Sequence, residues 1–129
     1  MLDLAVIGSI ISDTFIESDL DLITDPERPG SRGSLALPLG EKRAAHSLFS
    51  TIGGNAGNAS VTFARQGLRT AIVSRVGDDL SGRELCEALA REGVSTARVT
   101  RDPRFATASS LVFLRDGERS IVSYSGAAE

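Results

Sequence analysis

The spacing of apolar residues divides the chain into short alternating elements. Leu2-Asp3-Leu4-Ala5-Val6-Ile7-Gly8 is almost wholly apolar, which predicts a strand buried on both faces, as in a central parallel strand, with Gly8 and Ser9 ending it. Thr14-Phe15-Ile16 starts a second, half-exposed strand. Ser34 to Leu39 alternates polar and apolar at first, and Pro38 makes it an edge strand. Glu41 to Thr51 is ambiguous, with Ala45 to Ser50 favouring strand. A helix fits Gly57 to Gln66, and Gly67 stands where a left-handed C-cap belongs. Thr70 to Val76 predicts the next buried strand. Ser81 and Glu84 have capping-box spacing before a second helix whose Leu85, Ala88 and Leu89 share one face, and Gly93 closes it. Val94 to Val99 is a short strand or extended link. Ala108 to Leu114 and Arg119 to Tyr124 flank Asp116-Gly117, the signal of a two-residue type I′ hairpin. Asp19 to Gly33 holds Pro26, Pro29 and Gly30 among charges and reads as an exposed, mobile loop.

Strand–helix–strand alternation implies an α/β fold with a parallel sheet, and the lighter strands with the final hairpin imply a separate β layer. At 129 residues the chain suits one compact domain. The net charge of −3 and the absence of a basic run argue against a nucleic-acid partner. The apolar run Leu4 to Ile11 is too short to span a membrane and follows Asp3 rather than basic residues, so neither a membrane segment nor a signal peptide is expected. Cys86 is the only cysteine and is expected to be a buried helical thiol, consistent with the cytoplasm.

Three constellations could carry chemistry. Gly53-Gly54-Asn55-Ala56-Gly57-Asn58-Ala59-Ser60 opens a helix. Its glycines allow close backbone approach, the helix start offers free N–H groups, and Asn55 and Asn58 add donors and acceptors suited to sugar hydroxyls. No Gly-Lys-Ser/Thr follows and the dinucleotide glycine spacing is wrong, so it is neither type of nucleotide loop. Local chemistry leaves a ligand loop and an ordinary N-capped turn both open. Asp13 follows the first strand, where α/β sheets bind ligands, although an Asp there can also cap a turn. Asp78-Asp79 precede the second helix, and helix-terminus electrostatics explains them better than metal binding or catalysis. His46 lacks companions and is expected on a strand surface. Phe105, Phe113 and Tyr124 are expected in the core, although they could line the apolar face of the β layer. Arg115, Glu118 and Arg119 flank the hairpin turn as solvated charges.

Gly53, Gly54, Ala56, Asn58, Ser60, Gly67 and Gly77 stand at the fixed positions of the N-terminal signature of the ribokinase-like (PfkB) carbohydrate and nucleoside kinases, and the chain resembles that family along essentially its whole length. Val76-Gly77-Asp78-Asp79-Leu80-Ser81-Gly82, Glu92-Gly93-Val94 and Asp116-Gly117-Glu118-Arg119-Ser120 extend the resemblance. It implies a Rossmann-like ribokinase fold, here the N-terminal part of a kinase domain over residues 1–129, with a small β lid from segments at about 14–50 and 108–124 that also offers a homodimer contact. It further implies a sugar or nucleoside substrate held by Asp13, Gly53, Gly54, Asn55 and Asn58, with Asp13 accepting from substrate hydroxyls. Ribokinases proper have Asn where Ile11 stands and Lys where Asn55 stands, which weakens ribose specifically. The intact family uses ATP and Mg. Its catalytic Asp lies in a later Gly-Ala-Gly-Asp segment; Gly126-Ala127-Ala128-Glu129 resembles instead the Gly-Ala at the lid exit. No catalytic residue, no metal ligand and no good ATP site are therefore expected within these residues alone, and turnover is not expected. An exposed sheet edge is expected to favour self-association. The alternatives are a sugar-binding or dimerising module that pairs with a separately encoded half, and an unrelated nucleotide-binding α/β domain.

Overall fold

The structure, a computed structural model, describes residues 1–24, 27 and 33–128. Pro26, Pro29 and Gly30 of the expected loop, and Glu129, lie outside the described residues. In chain order the elements are β1 (Leu4–Ile7), β2 (Ile11–Ser18), β3 (Asp21–Ile23), β4 (Ser34–Ala36), β5 (Ala45–Gly53), α1 (Asn55–Arg65), β6 (Thr70–Gly77), α2 (Leu80–Arg91), β7 (Ser95–Asp102), β8 (Ser109–Arg115) and β9 (Glu118–Tyr124), followed by a 3-10 turn at Gly126–Ala128.

Two sheets carry the architecture. The first is parallel, in the order β1-β6-β7. Its strands step across the sheet in one direction through crossovers that contain α1 and α2. Right-handed crossovers of that kind put both helices on the same face. The core agrees, since Ala56, Val61 and Ala64 of α1 and Cys86 and Leu89 of α2 pack with Val6, Ile72 and Val76. Ile10, Ile52, Val94 and Val99 complete this cluster. The helices thus bury the apolar side chains of alternate β6 positions, and β6 is the central strand.

The expected burial of the first strand on both faces fails. β1 is an edge strand of this sheet, Leu4 and Val6 are half-buried, and Ile7 is 79% exposed. Ile7 pairs with Val73 on the side that neither helix covers. Apolarity marked the strand correctly, but its neighbours are set by distant segments.

The second sheet has the order β5-β2-β8-β9, with β2 antiparallel to β5 and parallel to β8. It is the separate β layer that the lighter strands implied. Phe15 and Phe49, paired across β2 and β5, stack with ring centroids 4.9 Å apart. The β8–β9 turn is as expected: Arg115 pairs with Glu118, and Asp116 and Gly117 both have positive φ, 51° and 81°, as a type I′ turn requires. β3 and β4 form an antiparallel ribbon, so part of the expected loop, Asp21–Ile23, is strand. The Arg115 guanidinium donates to the Leu20 carbonyl beside it.

Both helices begin differently from expectation. α1 starts at Asn55 rather than Gly57, because the Ser9 carbonyl accepts from the Ala56 and Gly57 amides at 3.1 and 3.3 Å and replaces a side-chain cap. α2 is capped by Asp79 rather than Ser81. The Asp79 carboxylate accepts from the Gly82 amide at 2.8 Å, and Ser81 falls within the first turn. Phe105 and Tyr124 are about half exposed rather than core, while Phe113 is half-buried.

Candidate functional site

Asp13 lies inside β2 rather than just past the first strand, opposite Thr51 of β5 and Ser110 of β8. Two residues further along β5 comes Gly53, and the Asp13 carboxylate occupies the space a side chain there would need. A Cβ on Gly53 would lie 2.0 Å from Asp13 Oδ2 and 2.4 Å from its Cγ. The sheet therefore seats a half-buried carboxylate directly on the glycine that ends β5. Among the described residues, Asp13 makes no hydrogen bond or ion pair through that carboxylate. A half-buried, unpartnered acceptor is poised for an external donor.

Gly54 follows with φ 83°, and a Cβ on it would come within 2.5 Å of the Ser9 carbonyl oxygen. Only glycine fits this conformation and this approach. The chain then enters α1, whose buried Gly57 has room for no side chain, since a Cβ there would meet Ile52 Cγ2 at 2.9 Å. These contacts bring the start of α1 against β5 and against the Ser9–Ile10 link that leads into β2. Asn55 and Asn58, three apart in the first turn, share a face and are both exposed. The structure thus brings Asp13, Gly53 and Gly54 together and places Asn55 and Asn58 one step beyond, at the helix start. A carboxylate, two amide side chains and a helix N-terminus can bind a ligand rich in hydroxyl groups.

The remaining candidates do not join this group. His46 is exposed on β5, with Nε2 2.9 Å from Asp19 Oδ2. Arg115 sits 3.3 Å from its neighbour Asp116. Burial raises the Cys86 thiol pKa above its usual range, which favours an inert thiol. Among the described residues no three His, Cys, Asp or Glu side chains gather as a metal site.

Sequence reasoning missed the role of Thr107. This residue is 4% exposed and ties the segment before β8 to the start of α2. Its amide and its hydroxyl donate to the two Asp79 carboxylate oxygens at 2.8 and 2.6 Å, and its hydroxyl accepts from the Gly77 amide at 3.0 Å. Burial pushes the Asp79 carboxyl pKa up, but the hydrogen bonds from Thr107 and Gly82 outweigh it and hold the carboxyl below its ordinary range. The only sequence signal was the Gly77, Asp79, Gly82 spacing. A second linkage lies beside it: Arg104 forks onto the buried Asp102 carboxylate at 2.8 and 3.0 Å, and Arg75 donates to the Ala127 carbonyl at 2.6 Å.

A mostly parallel α/β unit thus carries an attached β sheet, and its glycine-asparagine helix start follows the glycine on which the Asp13 carboxylate sits. The sequence profile of the pfkB family carbohydrate kinases matches residues 1–129, and the chain belongs to that family. Mouse ribokinase is 38% identical over 90 residues, covering 68% of this chain and 28% of that protein. Potato (Solanum tuberosum) fructokinase is 33% identical over 122 residues, covering 94% of this chain and 36% of that protein. Among solved structures, Arabidopsis thaliana ribokinase complexed with ribose and ATP superposes with a TM-score of 0.74 at 27% identity, over 98% of this chain and 36% of that one. The fold is therefore the ribokinase fold, and the chain spans about a third of the length of these relatives.

Proposed function

We propose that these residues form the substrate-binding part of an ATP-dependent kinase that phosphorylates a hydroxyl of a sugar or nucleoside. The observation that carries the reading is the unpartnered Asp13 carboxylate seated on Gly53, beside a helix start bearing Asn55 and Asn58. An anionic acceptor binds hydroxyl donors well, and charge-assisted hydrogen bonds are stronger than neutral ones. Asp13 would accept from substrate hydroxyls, the Gly53 and Gly54 backbone would allow close approach, and Asn55 and Asn58 would contact the remaining hydroxyls.

The four-stranded sheet serves as a lid over that substrate and excludes water from the transferred phosphoryl group. Its exposed Leu48, Leu111, Val122 and Tyr124 offer an apolar surface for a second copy of the chain. ATP and Mg are used by the intact kinase and are held by residues outside these 129, so this chain alone binds them poorly and does not turn over. Action in the cytoplasm fits the single unpaired cysteine, and no helix among the described residues is long and apolar enough to cross a membrane.

The test is an amide NMR titration of the ¹⁵N-labelled protein with ribose, fructose and adenosine. The reading expects one of them to shift Asp13, Gly53, Gly54, Asn55 and Asn58 as a contiguous set. Shifts confined to other surfaces, or none with any of the three, would contradict it.

A further inference from the structure

The four-stranded sheet meets the helical body at a few crossing points, and one is held with little slack. Segment 104–108 leads from β7 into β8. Within it, Thr107 is held by both oxygens of Asp79 and by the Gly77 amide. Three glycines close around the same segment. A Cβ on Gly77 would lie 2.5 Å from the Thr107 nitrogen, one on Gly82 would lie 2.8 Å from its Oγ1, and one on Gly126 would lie 2.3 Å from the Ala106 oxygen. The Ala127 amide also donates to Ala106 at 2.9 Å.

Capping α2 needs a single acceptor, which Asp79 supplies to Gly82. Its two further bonds go to the lead-in of β8, which a helix cap does not require. From Thr107 the connection to the site is continuous. The next carbonyl, of Ala108, accepts from the Ser12 amide at 2.9 Å, and Asp13 then pairs with Ser110.

We propose that Asp79 is a positioning residue: through the Thr107 hydroxyl and amide it sets the pose of the four-stranded sheet, and with it the Asp13 carboxylate, relative to the helical body. The consequence for ligand binding rests on the reading of Asp13 given above, whereas the consequence for sheet pose does not. Asp79→Asn keeps an amide oxygen for Gly82 but cannot accept from both Thr107 groups as well. Thr107→Val removes only the hydroxyl and leaves the cap intact. Thr107→Ser restores the hydroxyl.

The experiment places spin labels on the protein at Ala45→Cys in β5 and Ala90→Cys in α2, with Cys86→Ser, and reads their distance distribution. Wild type and Thr107→Ser should give one narrow distance. Asp79→Asn and Thr107→Val should broaden or shift it, with helical circular dichroism unchanged. If Asp79→Asn fails to fold, Thr107→Val decides. A narrow, unshifted distance in folded Thr107→Val overturns the proposal, as does equal broadening in Thr107→Ser, which would assign the effect to the methyl group. In a parallel titration with ribose, fructose and adenosine, Thr107→Val should weaken whichever ligand the wild type binds by about tenfold, bounded by the strength of the charge-assisted Thr107–Asp79 hydrogen bond that no longer holds the pose. A wild type that binds none of the three contradicts the reading of Asp13, and the distance measurement still decides the role of Asp79.

Discussion

Gly53→Ala tests the contact at the centre of the site. The added methyl would lie 2.0 Å from Asp13 Oδ2, 2.4 Å from Cγ and 2.8 Å from Oδ1, well inside van der Waals contact. Two relaxations are open. The Asp13 side chain can rotate away from its staggered position, at about 0.5–1.5 kcal/mol. Alternatively β2 and β5 can part locally, and overpacking of that kind costs about 1–3 kcal/mol. Gly53 does not have positive φ, so alanine adds no backbone strain and the cost is steric. The expected loss is therefore about 1–3 kcal/mol in urea unfolding, and sugar binding is lost by either route. Asp13→Ala removes the atoms the methyl meets, so the double variant should recover most of the stability but none of the binding. Gly67→Ala is the control. Its φ is 88° with no atom within 4 Å, so it costs about 1–2 kcal/mol of left-handed strain and adds independently of residue 13. The reasoning is refuted if Gly53→Ala unfolds at the wild-type midpoint, or if its cost is unchanged in the Asp13→Ala background.

Acid should unfold the protein in a defined direction. Hydrogen bonds from Arg104 hold the Asp102 carboxyl far below its usual range, and Asp79 is also depressed. Folded pKa values below the unfolded value of about 3.9 mean that this stabilisation is complete above that pH and is lost as pH falls towards the folded values. Urea midpoints should be flat from about pH 7 to 5 and fall below about pH 4, with a shallower acid limb in Asp102→Asn. Ile72→Ala, beneath both helices, should cost about 2–5 kcal/mol in the same assay. Leu48→Lys with Val122→Lys should convert any concentration-dependent dimer to monomer in light scattering, because both side chains are exposed on the second sheet.

Features set by neighbours along the chain are legible in the sequence, and those set by distant segments are not. The Asp116-Gly117 turn, the Gly67 and Gly93 helix ends and the apolar faces of α2 depend on neighbours in the chain, and the structure has them. The α2 cap is ambiguous in the sequence because Asp79 and Ser81 both stand before a helix-forming run. The choice fell to Asp79 through Thr107, 28 residues away. The edge position of β1 and the parallel pairing of β2 with β8 are likewise set by segments far apart. Helix α1 began early because a carbonyl, Ser9, served as its cap, and no residue type announces that. Within the site, the glycine-asparagine stretch and Asp13 were legible as types, but the contact between Asp13 and Gly53 exists only once β2 and β5 pair.

The most direct test of the central claim is calorimetric titration of the wild type and Asp13→Ala with ribose, fructose and adenosine. The account predicts saturable binding of one of the three by the wild type and its loss in a folded Asp13→Ala. Equal affinity in the two proteins would contradict it.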